Sequence, residues 1–209
     1  MKVAVVCANG RAGTLIVKEA VERGLDVTAV VREENKTAAN KVIKKDLFDL
    51  TSEDLKDFDA VVDAFGAWKE EELPNHSSSL KHLCDILSGT KTRLLIVGGA
   101  GSLYVNPEHT AALSDSPDFP DAFKPLAAAM AKALGELRQR KDVRWTYVSP
   151  AGDFQADGDR TGKYIMGGEE LTLNSKGESV ISYADYAIAM VDEIVSGSHV
   201  QQRISVVRK

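Results

Sequence analysis

A loop with two glycines separates the first apolar segment of the chain from the first segment of helical periodicity. The loop is the run Cys7-Ala8-Asn9-Gly10-Arg11-Ala12-Gly13, and it follows the β-branched residues 3–6. Glycines between a strand and a helix let the backbone approach a phosphate closely, and the first N–H groups of the helix then donate hydrogen bonds to it. We therefore predict that a dinucleotide phosphate binds at Asn9, Gly10, Arg11, Ala12 and Gly13.

Cys7 stands where the usual form of this loop has its first glycine. Cysteine is small, so Cys7 is expected to end the buried strand as a compact apolar residue. A thiol beside a helix N-terminus can also have a lowered pKa and a redox role. The second cysteine, Cys84, is distant in sequence, which favours the structural interpretation.

The residue after the second apolar segment indicates which dinucleotide is bound. Arg32 lies 19 residues beyond Gly13, where NAD-binding proteins place an acidic side chain on the ribose. An arginine suits a 2′-phosphate instead, because its guanidinium forms forked, charge-assisted hydrogen bonds. In the alternative, Arg32 is a solvated charge and Glu33 binds the ribose. We predict NADP(H) as the preferred cofactor, with Arg11 as a second phosphate contact and NAD(H) as the alternative.

Short apolar runs alternate with helical patterns along the whole chain. Strands are predicted around residues 3–6, 27–31, 42–43, 60–62, 94–97, 145–148 and 204–207, and helices around 12–21, 80–87, 123–137 and 187–195. Such alternation is typical of an α/β fold, here a Rossmann-type, doubly wound and mainly parallel sheet with helices on both faces. A small C-terminal substructure is added, with loops and a hairpin expected within residues 152–177. We predict one domain, 1–209, in which residues 152–209 form the substrate side.

Composition limits the other classes of function. The chain has 209 residues, 44% hydrophobic and 27% charged, and a net charge of -5, which argues against nucleic acid or an anionic membrane as partner. No apolar run reaches the ~20 residues of a membrane span. Two cysteines and four scattered histidines provide neither a disulfide framework nor metal-ligand spacing. The expectation is a cytoplasmic monomer or homodimer that binds a dinucleotide and a small molecule.

Further motifs after the strands resemble one family. They are Val31-Arg32, Lys45-Asp46-Leu47, Ala64-Phe65-Gly66, Gly98-Gly99-Ala100-Gly101-Ser102-Leu103 and Ser149-Pro150-Ala151. In this order they resemble the atypical short-chain dehydrogenases, and most of all the NAD(P)H-binding, NmrA-like branch. That branch includes proteins named NADH-flavin reductases and others similar to NAD-dependent epimerases and dehydratases. The resemblance covers essentially the whole chain.

The resemblance implies positions along the cofactor. Asp46 and Leu47 would flank the adenine, Phe65 and Gly66 would line the ribose and pyrophosphate, Gly98 and Gly99 would lie under the nicotinamide ribose, and Pro150 and Ala151 would border the nicotinamide. For Asp46 an equal alternative is a structural one, because aspartate commonly caps a turn.

The catalytic pair of ordinary short-chain dehydrogenases is absent. No tyrosine is followed by lysine four residues later, and Phe123-Lys124-Pro125 stands where the tyrosine hydroxyl would be needed. This disfavours alcohol oxidation and sugar epimerisation by the usual mechanism. A flavin or quinone needs less protein chemistry, because its conjugated ring delocalises charge and takes a proton from water. We therefore predict hydride transfer from NADPH to such an acceptor.

Three residues are candidates for the donation of a proton to the acceptor. They are Ser102 and Lys124, with Tyr104 as a third. Trp68 either covers the pocket or anchors the charged loop that follows it. The alternative function is a non-catalytic sensor of NADP(H) or NAD(H).

Overall fold

Ten strands and five helices make up the fold, described for residues 1–209 by a computed structural model. The strands are β1 (Lys2–Val6), β2 (Asp26–Val31), β3 (Lys41–Lys44), β4 (Ala60–Asp63), β5 (Arg93–Val97), β6 (Arg144–Ser149), β7 (Asp153–Gln155), β8 (Tyr164–Gly167), β9 (Val180–Ser182) and β10 (Gln202–Arg208). The helices are α1 (Arg11–Glu22), α2 (Ser52–Leu55), α3 (Asn75–Leu87), α4 (Lys124–Leu137) and α5 (Tyr183–Ser196).

Eight of the strands form one sheet in the order β3-β2-β1-β4-β5-β6-β10-β8. Every neighbouring pair is parallel except β10 and β8. The first three strands therefore extend to one side of β1, and β4, β5 and β6 extend to the other side. The point between β1 and β4, where the strand order reverses, is where open α/β sheets bind their ligands. The predicted Rossmann-type fold is confirmed.

Helices cover both faces of the sheet because successive strand residues point to opposite sides. Val3 and Val5 face a buried cluster with α1 and α5, whereas Ala4 and Val6 face a second cluster with α3 and α4. Strands buried on both faces read as continuous apolar runs, which is why the sequence predicted them well. The same packing aims the N-terminus of α1 at the reversal point.

The C-terminal substructure differs from its prediction. In place of the hairpin expected within residues 152–177, β7 pairs in parallel with β9 as a separate two-stranded sheet, and β8 joins the main sheet antiparallel to β10. The buried Asp185 of α5 fixes the intervening chain, since its carboxylate accepts hydrogen bonds from the backbone N–H groups of Thr161 (2.9 Å) and Gly162 (2.8 Å). The segment between β7 and β8 is thus bound to α5, and each of these strands pairs with a different partner.

Gly13 provides a test of how closely α1 packs on the preceding turn. A Cβ atom at this position would lie 2.9 Å from the carbonyl oxygens of both Cys7 and Ala8. We expect Gly13→Ala to lower the free energy of unfolding by about 1–3 kcal/mol, because two backbone segments would have to separate. Urea denaturation measures the change.

Gly135 is the matched control for this substitution. It lies on the exposed side of α4, and a Cβ there would have no neighbouring atom within 4 Å. Gly135→Ala should raise the free energy of unfolding by about 0.5–1 kcal/mol, because alanine favours a helix interior. Equal effects at the two glycines would show that the close contact at Gly13 is not a constraint.

Candidate functional site

The predicted binding residues lie together at one end of the sheet. Because β1 to β6 are parallel, the residues that follow them emerge at the same carboxyl end. These residues are 7–13 after β1, Arg32 after β2, Asp46 and Leu47 after β3, Phe65 and Gly66 after β4, Gly98 and Gly99 after β5, and Pro150 and Ala151 after β6. Motifs more than 100 residues apart in sequence thus share one surface.

The N-terminus of α1 provides hydrogen-bond donors at the centre of this surface. Gly10 is the N-cap residue, has extended backbone angles (φ -68°, ψ 164°) and offers no side chain to cap the helix. The first helical hydrogen bond is donated by the N–H of Thr14, so the N–H groups of Arg11, Ala12 and Gly13 have no protein acceptor. The first turn also contains no acidic residue. Free donors at the positive end of a helix dipole fit the diphosphate of a dinucleotide.

Cys7 packs on the hydrophobic core as a compact apolar residue, as predicted, but it lies one residue beyond the end of the strand. It lies in the turn after β1 with φ 57°, in the left-handed region that favours glycine. A side chain in this conformation costs about 1–2 kcal/mol. The turn is closed by the N–H of Gly10, which donates to the carbonyl oxygen of Cys7 at 3.0 Å. Cys7 therefore adopts the conformation of the glycine that it replaces.

Asn9 joins the glycine loop to the chain beyond β2. Its amide nitrogen donates to the carbonyl oxygen of Glu34 at 2.8 Å, and its side-chain oxygen accepts from the N–H of Lys36 at 2.9 Å. The side-chain amide thus both donates and accepts a hydrogen bond within the protein. Asn9 acts here by holding the two loops that face the expected phosphate and ribose.

Arg32 and Asp46 are neighbours at the β2 and β3 end of the surface. The Arg32 side chain is 79% exposed, and its guanidinium lies 3.8 Å from the carboxylate of Asp46. Asp46 also accepts a hydrogen bond from the N–H of Phe48 at 2.9 Å and so caps the turn that follows. The structural alternative for Asp46 is therefore observed. The next residue, Leu47, is buried in the core and exposes no side chain to this surface.

Phe65 and Gly66 form part of a loop with aromatic neighbours. The Phe65 ring packs edge to face on His76, with ring centroids 5.4 Å apart. Gly66 lies beside the indole of Trp68, which is 69% exposed and is 6.5 Å from the ring of Phe123. Trp68 thus contacts a second exposed aromatic ring at the start of α4 and projects from the rim of the site.

Gly98 and Gly99 have packing roles that the sequence did not indicate. A Cβ on Gly98 would lie 2.3 Å from the ring of Tyr147, and one on Gly99 would lie 2.9 Å from the sulfur of Met130. The Tyr147 hydroxyl also accepts a hydrogen bond from the N–H of Gly99 at 3.2 Å. These glycines bring the backbone after β5 down onto β6 and α4. At the neighbouring strand end, Pro150 and Ala151 are both buried.

Ser102 is held by a buried arginine that sequence reasoning missed. Arg203 of β10 donates to the hydroxyl and to the carbonyl oxygen of Ser102, both at 2.9 Å. The same guanidinium is paired with Glu169 at 2.5 Å and lies 5.6 Å from the centre of the Tyr104 ring. The sequence signal that could have indicated it was an arginine next to the predicted strand 204–207. Ser102 and Tyr104 are thereby fixed to β10.

Lys124 is not part of this network. It lies at the first position of α4, is half exposed, and its ammonium group is 2.6 Å from the carboxylate of Asp121. The structure contains no hydrogen bond between Lys124 and Ser102. The two candidate donors therefore have separate partners, one buried and one at the surface.

The fold and the free helix N-terminus define a Rossmann-type dinucleotide-binding protein. Residues 7–195 match the NAD(P)H-binding family, and the chain belongs to that family. This finding agrees with the resemblance drawn from the strand-end motifs. None of the helices is long and apolar enough to cross a membrane.

Three similar proteins match the chain over nearly its full length. A crystal structure from Streptococcus pneumoniae, provisionally named an NADH-flavin reductase, is 56% identical with a TM-score of 0.98 and covers 100% of both chains. The uncharacterized protein YwnB of Bacillus subtilis is 46% identical over 210 residues, 99% of this chain and 98% of YwnB. A Bacteroides thetaiotaomicron structure, provisionally named an epimerase, is 34% identical with a TM-score of 0.86 and covers 99% of this chain and 96% of that one.

The Cys7 thiol allows a test of the redox alternative. Burial raises the pKa of Cys7 to about 12, and the negative charge of Asp63 acts in the same direction. Because the thiolate is the reactive form, we expect Cys7 to resist iodoacetamide at about pH 8 in the folded protein. Mass spectrometry after timed alkylation measures this, with the urea-unfolded protein as the fully reactive control. Rapid alkylation of native Cys7 would restore the redox interpretation.

Proposed function

We propose that the protein is an NAD(P)H-dependent oxidoreductase that transfers hydride from NADPH to a flavin, a quinone or a similar conjugated acceptor. The proposal rests on the uncapped N-terminus of α1, whose three free N–H groups lie at the reversal point of a parallel sheet. Similarity to the protein from S. pneumoniae named an NADH-flavin reductase supports the reaction class. It also favours turnover over the alternative of a non-catalytic sensor.

The binding of the dinucleotide follows the order of the strand ends. We assign the diphosphate to the N–H groups of Arg11, Ala12 and Gly13, and the 2′-phosphate to the exposed guanidinium of Arg32. The remaining proposed contacts are Asn9, Gly10, Asp46, Leu47, Phe65, Gly66, Gly98, Gly99, Pro150 and Ala151. Buried residues among them, such as Leu47 and Ala151, would contribute through their backbone or as apolar walls.

The acceptor is assigned to the side of the sheet beyond β5. Loop 101–120 and the segment 152–168 would enclose it, and Tyr104 joins the loop to residues 169–171, which follow that segment. When bound, the reduced nicotinamide supplies the hydride, and a flavin or quinone takes its proton from water. The protein then needs to orient two rings and exclude solvent more than to provide a strong acid.

Ser102 and Lys124 stay our candidate donors. Ser102 uses its oxygen to accept from Arg203, which leaves its own proton free, and Lys124 presents a half-exposed ammonium group. A cytoplasmic location belongs to the same proposal, and the two cysteines, which form no disulfide, agree with it.

Turnover is tested with purified protein, NADPH and a panel of FMN, FAD and simple quinones. We expect saturable loss of reduced-nicotinamide absorbance with at least one acceptor. Gly10→Asp should raise the KM for NADPH by at least about tenfold relative to Gly10→Asn, because it adds a negative charge beside the diphosphate.

The pair Asp and Asn at position 10 is a matched control. Both side chains cap a helix N-terminus. Either would place a Cβ 3.2 Å from the carbonyl oxygen of Cys7, so the two variants share this contact and differ mainly in charge. Gly13→Asp is less informative, because the side chain would clash with the preceding turn. Tight NADPH binding without turnover on any acceptor would favour the sensor.

Cofactor preference is tested at Arg32. Arg32→Asp should weaken NADPH binding by about ten- to a hundredfold and leave NADH binding nearly unchanged, because charge-assisted hydrogen bonds contribute about 1.5–3 kcal/mol. Isothermal titration of both dinucleotides measures the difference. Glu33→Gln serves as the companion variant, since loss of NADH binding there would assign the ribose to Glu33. Equal losses of both dinucleotides in Arg32→Asp would contradict the 2′-phosphate assignment.

A further inference from the structure

A small cavity, partly open to the surface, lies beside the loop that follows β4. Its volume is about 20 Å³, and it is lined by residues of β4, β5, β6, α3 and α4. The polar residues in its wall are Asp63, His76, Ser79 and Tyr147, and apolar side chains of β5 and α4 complete it. A space of this size holds one water molecule if enough polar partners surround it.

One buried polar group in the wall has no partner in the protein, and a second has only one. The hydroxyl of Ser79, a residue only 1% exposed, makes no hydrogen bond. Asp63 is 4% exposed, and its carboxylate accepts one hydrogen bond, from the N–H of Phe65 at 3.0 Å, through one of its two oxygens. Buried polar groups are nearly always hydrogen-bonded. One water that donates to Asp63 and accepts from Ser79 satisfies both.

The same residues hold the loop of residues 64–67 from below. Asp63 binds the N–H of Phe65, and Nε2 of His76 lies 3.1 Å from the carbonyl oxygen of Ala67. Burial lowers the pKa of His76, so at neutral pH the ring is uncharged and donates through Nε2. The Phe65 ring rests on that imidazole. Two buried side chains therefore fix both the start and the end of this loop.

We propose that Asp63 and Ser79, joined by one buried water, position residues 64–67 for dinucleotide binding, and that the ionised carboxylate is the form that does so. Asp63 is thus a positioning residue that acts through Phe65 and Gly66. The identity of the ligand at this loop rests on the proposed function. The way in which the loop is held rests only on the residues that line the cavity. An ionised acceptor matters because its hydrogen bonds are about twice as strong as those of a neutral one.

The groups that face Asp63 leave it as the main titrating residue. The thiols of Cys7 and Cys84 face it from the turn after β1 and from α3, and the Tyr147 hydroxyl faces it from β6. Burial raises the pKa of each to about 12, so all three are neutral. From α3 comes His76, whose pKa is lowered. Burial raises the pKa of Asp63 to about 6, against the opposing hydrogen bond from Phe65. A water that donates to the carboxylate moves the pKa below that value.

The experiment measures NAD⁺ affinity between about pH 4.5 and 8, because the 2′-phosphate of NADP⁺ itself ionises near pH 6. In the unaltered protein the affinity should fall about tenfold as pH decreases through the pKa of Asp63. Asp63→Asn should bind weakly at every pH, with no such transition. Ser79→Ala should shift the transition to higher pH, because the carboxylate loses its water-mediated donor. Ser78→Ala, on the exposed side of the same helix, should behave as the unaltered protein.

A second measurement needs no dinucleotide. The chain has two tryptophans; Trp68 adjoins the loop and is 69% exposed, whereas Trp145 is 3% exposed and gives a constant background. Without ligand, Trp68 emission should titrate with the same midpoint as the affinity and should not titrate in Asp63→Asn.

The outcomes separate the two proposals. A transition that persists in Asp63→Asn, or Trp68 emission that does not change with pH, would overturn the positioning role. Titrating emission in a protein that binds neither NAD⁺ nor NADPH would support the positioning role and contradict the dinucleotide function.

Discussion

The contact between α1 and the turn after β1 determines where the helix dipole points. Gly13 lies against the carbonyl oxygens of Cys7 and Ala8, and the Thr14 hydroxyl donates to the same Ala8 oxygen at 3.2 Å. These contacts bring the first turn of the helix to the point where the sheet reverses. The free N–H groups are consequently aimed at one place and need no rearrangement to meet an anion. Every other strand end contributes to a site whose centre this contact has already fixed.

At the opposite end of the sheet, the last turn of a helix is bound by charged groups of the protein itself. Arg93, at the start of β5, pairs with the buried Glu193 at 2.6 Å and donates to the Glu193 carbonyl oxygen at 2.8 Å. Glu193 in turn accepts from the N–H and ring of His199. The last turn of α5 is therefore neutralised by the protein itself, whereas the first turn of α1 is left for a ligand. This difference between the two ends agrees with a binding site at one end only.

The sequence was informative wherever one short segment determines its own structure. The glycine loop, the apolar strands and Gly24 as a helix terminator with φ 76° follow from local rules, and the structure has them as expected. The parallel sheet then brings the strand-end motifs together without further information. Contacts between distant segments were missed: Arg203 reaches Ser102 across 101 positions, and β7 pairs with β9 rather than folding back. Nothing in a single sequence specifies such pairings, and the buried state of Asp63 depends on α3 and α4 packing above it.

The anchoring of loop 101–120 by Arg203 has a consequence for the order of folding. Strands β1 to β6 lie within the first 149 residues, but one face of β1 is covered by α5, which follows later in the chain. Arg203 lies in the last strand, and it fixes both Ser102 and Glu169. Loop 101–120 therefore gains this anchor only after the final strand has docked beside β6. The face of the sheet behind the glycine loop depends on α5 and loop 101–120 depends on β10, so the two sides of the site become ordered in the same late step of folding.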